Sequence, residues 1–130
     1  MNSYHTVVNE CNYESVENGI NIILDGKVAD SLPFKVSEYG ESRILDICKR
    51  WLHRKGYILK DESIFLNELE DLCFDVLGDH ANPNDIYVEI SPQFEWRVII
   101  TRLFSPREFV GDDWKNATKG TKFENVKLFC

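Results

Sequence analysis

Two consecutive segments carry apolar residues at helical spacing, and this narrows the folds open to the chain. In "ESRILDICKRWLHRKG", Ile44, Leu45, Cys48, Trp51 and Leu52 recur at i, i+1, i+4, i+7 and i+8. That spacing puts them on one stripe of an α-helix. Ser42 is a suitable N-cap, and Gly56 can end the helix in left-handed geometry. A second helix is predicted from just after Asp61, another good N-cap residue, to Gly78. Phe65, Leu66, Leu69, Leu72, Cys73, Val76 and Leu77 fill one arc of it, and Glu68, Glu70, Asp71 and Asp75 fill the other. Phe74 breaks the division, because it falls among the acids near Asn67 and Asp71.

Strand signals flank the helices. A short strand is expected within "YHTVVN", residues 4–9. "INIIL" is β-branched and apolar, and Asp25-Gly26 after it suits a type I′ turn, whose two central residues need positive φ. The return strand runs towards Val36, with Pro33 marking an edge, a bulge or an early end. "IYVEI" and "EWRVIITRLF", joined by "SPQF", predict an antiparallel pair. The second of these has apolar residues on both faces and should be central in its sheet. "SPREFVGDDWKNATKGT" reads as irregular chain or a short helical turn, and "KFENVKLF" as a last strand.

This order predicts an α+β fold. The expected form is a single globular domain, residues 1–130. It has a mainly antiparallel sheet of about five strands, with the two amphipathic helices packed on one face.

From Asp61 to Trp96 the chain has ten acidic side chains and no Lys or Arg. The formal charge of the whole chain is −7, which disfavours general binding to nucleic acid or to an anionic membrane. A basic helix flank with Arg43, Arg50 and Arg54 is the one place suited to phosphate contact, and no helix-turn-helix signature accompanies it. Apolar runs such as "VII" and "IIL" are far too short to span a membrane, and the N-terminal segment lacks the pattern of a signal peptide. Cys11, Cys48, Cys73 and Cys130 have neither zinc-site nor disulfide-framework spacing, so a reduced, cytoplasmic protein is expected. Asn116 to Thr118 matches a glycosylation acceptor, read here as chance.

No cofactor motif is present: no P-loop, G-x-G-x-x-G, H-E-x-x-H or G-x-S-x-G. Cys11 with His5 is a conceivable nucleophile and base, but six residues of separation near a terminus imply no geometry. Cys48 and Cys73 lie on apolar stripes and read as inert core thiols, Cys130 as exposed, and His53 as a solvated flank residue. Asp79, His80 and Asp85 are the one ligand-type cluster. They give a small metal-dependent hydrolase as an alternative function, against the plainer reading of a polar turn. A self-associating regulatory or structural subunit, pairing through the sheet edge near Pro33, is a further alternative.

The acidic helix face also has a plain reading, since exposed helix positions are ordinarily charged. Six of the fifteen basic residues, Arg43 to Lys60, stand just before it as possible neutralising partners. The functional reading rests on steering. A one-sided acidic surface attracts a basic partner, and an aromatic ringed by acids can anchor in its pocket. The expectation is therefore a non-enzymatic inhibitor, immunity or antitoxin-like or anti-defence protein. It would occupy the site of a basic, nucleic-acid-processing partner such as a nuclease toxin. Glu68, Glu70, Asp71, Phe74, Asp75 and Asp79 are the expected contacts. No cofactor, metal or direct nucleic-acid contact is expected.

Overall fold

A computed structural model describes residue 4 and residues 6–130. His5, and with it the pairing with Cys11, lies outside the described residues. The chain is α+β and divides into two compact units, Tyr4–Ser63 and Ile64–Cys130.

The N-terminal unit contains β1 (Thr6–Val8), β2 (Cys11–Val16), β3 (Gly19–Leu24), β4 (Lys27–Leu32), α1 (Val36–Tyr39), α2 (Glu41–Arg54) and β5 (Tyr57–Leu59). Strands β2, β3 and β4 form an antiparallel meander. The β3–β4 turn has the expected chemistry: Asp25 and Gly26 adopt φ of 50° and 83°, and Leu24 pairs with Lys27. Asp25 also accepts bonds from the Asn9 and Glu10 N–H groups, so one side chain fixes two connections. Strand β4 ends at Leu32, just before Pro33, and lies at the sheet edge. Gly19 opens β3 where a Cβ would fall 2.0 Å from the Leu32 carbonyl oxygen, so no other residue fits.

Helix α2 buries Ile44, Cys48, Trp51 and Leu52 in a core with Val8, Ile20 and Ile22, while Leu45 faces outward. Its first residue is Glu41. Gly40, at φ 83°, takes the N-cap position in place of the expected Ser42. Trp51 donates its indole N–H to Asp30 and stacks on Tyr57.

Helix α3 (Lys60–Leu77) starts one residue before Asp61. Glu62 performs the capping, reaching back to accept the Leu59 N–H at 2.9 Å. Its other oxygen lies 2.8 Å from His53 Nε2. His53 also meets the Tyr4 ring edge-on and is well covered, not solvated as expected. Burial alone would push the Glu62 carboxyl up. The His53 and Leu59 bonds, with the charges of His53 and Lys49, outweigh it and hold the group below its ordinary value of 4.5.

A carboxyl depressed in the folded state stabilises above its unfolded value, and that stability is lost as pH falls through the lower folded value. Glu62→Gln is therefore expected to cost about 1–3 kcal/mol at neutral pH. The gap between the two proteins should close in acid, below 4.5. Urea unfolding over a pH series checks this. A gap that stays constant with pH would contradict it.

The C-terminal unit contains the rest of α3, a 3-10 turn (Pro83–Asp85), β6 (Ile86–Ile90), β7 (Trp96–Ile100), α4 (Arg107–Thr118) and β8 (Lys127–Phe129). Strand β7 is central, antiparallel to β6 and parallel to β8. The buried apolar residues here include Leu66, Leu69, Cys73 and Leu77 of α3, Val88 and Val98 of the sheet, and Val110 and Trp114 of α4.

Two expectations are corrected. The sheet expected as one, of about five mainly antiparallel strands, is three sheets, and two of its pairings, β1–β5 and β7–β8, are parallel. Hairpins announce themselves through local turn chemistry, whereas these parallel partners come together only in the folded chain. The segment from Ser105, expected to be irregular or to hold a short helical turn, is mostly the twelve-residue helix α4. Among the described residues no helix is long and apolar enough to cross a membrane.

Candidate functional site

The two arcs of α3 sort as their periodicity dictates. Leu66, Leu69, Cys73 and Leu77 are buried, and Phe65, Leu72 and Val76 are half-buried. Burial pushes the Cys73 thiol up to about 12 and the Cys48 thiol up to about 11, so both are protonated, unreactive core groups. Glu68, Asp71 and Asp75 are exposed on the other arc, as is Asp79 just beyond the helix. Glu70 is half-buried and presents the least of the acids proposed for contact.

Phe74 is 41% exposed, standing with the acids and away from the core arc. Gly78 follows it by one turn, and a Cβ there would lie 2.4 Å from the Phe74 carbonyl oxygen. A side chain at position 78 would therefore collide with the last turn of the helix, just past the acidic face.

The stretch without cations is partly neutralised from elsewhere in the fold. Lys122 pairs with Glu68 and also lies over the Phe65 and Phe123 rings, 6.0 and 5.4 Å from their centroids. Arg97 approaches Glu89 at 3.7 Å, and Lys127 binds Glu95 at 2.8 Å. Lys127 holds the Glu95 carboxyl below its ordinary value. Asp71, Asp75 and Asp79 have no ion pair among the described residues. The unbalanced charge is therefore concentrated around Phe74 and the C-terminal end of α3.

A shallow concavity of about 540 Å³ lies beside that end. Asp75, Val76, Asp79 and His80 line it from one side, and Asp113, Asn116 and Ala117 of α4 from the other. Three carboxylates and no Lys or Arg face it, so it favours a cationic occupant. Asp113 is the acid that sequence reasoning missed. Nothing local connects it to α3, and only the helical spacing of Val110, Trp114 and Thr118 hinted that its segment was a helix.

The Asp79, His80, Asp85 cluster is not assembled as a ligand set. No group of three or more His, Cys, Asp or Glu is arranged to hold a metal among the described residues. His80 instead bonds Ser105 through Nδ1 at 2.8 Å and Asp113 through Nε2 at 2.7 Å. Asp85 uses its main-chain carbonyl to accept from Thr101.

No family model, no curated protein and no solved structure matches the chain.

Proposed function

We propose that this protein works by binding another protein, as an inhibitor of the immunity or antitoxin type whose acidic α3 face blocks a basic, nucleic-acid-processing partner. The observation that carries the reading is Phe74, exposed between Asp71 and Asp75, two carboxylates with no ion pair among the described residues. Enzymes that act on nucleic acid present cationic surfaces to phosphates, and an acidic face competes for the same surface. Asp79 and the Asp113 side of the concavity extend the negative surface beyond the helix. The carboxylates would steer and pair with Lys and Arg, and the phenyl ring would fill an apolar pocket at the centre. Glu68 and Glu70 belong to the rim of this face, because Glu68 already holds Lys122 and Glu70 is half-buried.

Affinity capture from the native host tests the reading, with wild-type protein and the Asp71→Lys, Asp75→Lys double variant as parallel baits. The expected result is a strongly basic protein retained by wild type and lost by the variant. Equal recovery of the same partners on both baits would contradict it.

A further inference from the structure

Ser105, His80 and Asp113 form a continuous hydrogen-bonded chain within the C-terminal unit. A carboxylate only accepts, so the Asp113 contact places a hydrogen on His80 Nε2. In the neutral imidazole Nδ1 is then an acceptor, and the Ser105 hydroxyl donates to it. The 2.8 Å separation is within the range for a nucleophile and its general base.

The relation does not depend on this side-chain contact alone. The Phe104 N–H donates to the His80 carbonyl at 2.7 Å, and the His80 and Ala81 N–H groups both bond to the Leu77 carbonyl. The main chain thus holds residue 80 beside residues 104 and 105. Ser105 also directly precedes Pro106, the N-cap of α4. The first N–H groups of a helix lack intrahelical acceptors and carry the positive end of its dipole, which favours negative charge developing nearby.

We propose that Ser105 is a nucleophile activated by His80, with Asp113 as the positioning residue, and that it takes acyl groups from esters bearing a cation. Ser105 Oγ attacks the ester carbonyl carbon and its proton passes to His80 Nδ1. Asp113 holds the imidazolium through the Nε2 hydrogen. The tetrahedral species expels the alcohol, which takes the proton from Nδ1 and leaves an acyl group on Oγ. Water then adds to that acyl carbon, giving one proton to His80. Collapse releases the carboxylic acid, and Oγ recovers its hydrogen from His80. The ring nitrogens are used in the opposite order to the serine-protease arrangement, but the requirements are the same: one nitrogen accepts from the hydroxyl and the other N–H is held by a carboxylate. The preference for a cation comes from Asp75, Asp79 and Asp113, which line the concavity that His80 faces. Asp113 is 55% exposed, so solvent weakens its hold on the ring, and strongly activated acyl or sulfonyl donors are the substrates to use.

The test is covalent labelling of the full chain by aminoethylbenzenesulfonyl fluoride, a cationic reagent. Ser105 Oγ forms a bond to sulfur, fluoride leaves, and the hydroxyl proton passes through His80 to solvent. Intact mass and peptide mapping should show one adduct, on Ser105, and none on the Ser105→Ala variant. His80→Gln should slow labelling by about a hundredfold. Asp113→Asn should slow it as well, with circular dichroism unchanged in both variants. Asp75→Asn with Asp79→Asn should slow the cationic reagent severalfold and leave the neutral phenylmethylsulfonyl fluoride unaffected. No adduct on Ser105, or an adduct forming equally fast in folded His80→Gln, would overturn the proposal and make the three residues a structural clip between α3 and α4.

Discussion

Leu69→Ala is expected to destabilise the fold by about 2–5 kcal/mol, whereas Asp71→Ala, two positions on, should change stability by no more than about 0.5 kcal/mol. Leu69 is fully buried, so truncation removes apolar contacts and leaves a cavity that its neighbours close only in part. Asp71 is exposed and has no ion pair among the described residues, so its loss leaves nothing unsatisfied. Urea unfolding followed by tryptophan fluorescence measures both. Comparable losses in the two variants would mean that α3 does not present one arc inward and the other to solvent.

Phe74→Ala carries the second large effect, on binding. The ring is 41% exposed. On a side chain of about 200 Å², that leaves roughly 80 Å² to bury against a partner. At about 25 cal/mol per Å² this contributes about 2 kcal/mol, or roughly thirtyfold in affinity. The loss should appear mainly in the dissociation rate, because an anchor at the centre of a contact holds the complex together and contributes little to steering. Surface plasmon resonance with the captured partner separates the two rates. Unchanged dissociation in folded Phe74→Ala would remove the ring from the interface while leaving the electrostatic part of the reading in place.

What the sequence made legible was whatever depends on neighbours within one or two turns. The 3.6-residue period identified both arcs of α3 and most of the buried stripe of α2. Asp25-Gly26 identified the β3–β4 turn, because few other pairs take two positive φ values without cost. Apolar residues on both faces correctly made β7 central. Helix α4 was hidden because its sequence mixes Gly111, Asp112, Asp113 and Asn116, all poor helix formers, with a widely spaced buried stripe. Tertiary burial of Val110 and Trp114 supplies what propensity lacks.

The site divided along the same line. Phe74 among acids was visible from helical geometry alone. The partners of His80 were not, since Ser105 and Asp113 lie 25 and 33 residues away. The sequence singled out His80 but attached it to its chain neighbours Asp79 and Asp85, because proximity along the chain is all that a one-dimensional pattern can show. Lys122 was missed for the same reason. It reaches Glu68 from a turn more than fifty positions later, at the start of a segment that reads as the last strand but is extended only from Lys127.

In the proposed function the acidic face of α3 guides and holds a basic partner. The most direct test is the association rate of that partner across a salt series, for wild type and for Asp71→Lys with Asp75→Lys. Exposed charges are screened over about 10 Å at 0.1 M salt, so the wild-type rate should fall steeply as ionic strength rises. The double variant should bind far more slowly at low salt and lose that dependence. An affinity that ignores ionic strength and survives both charge reversals would contradict the claim.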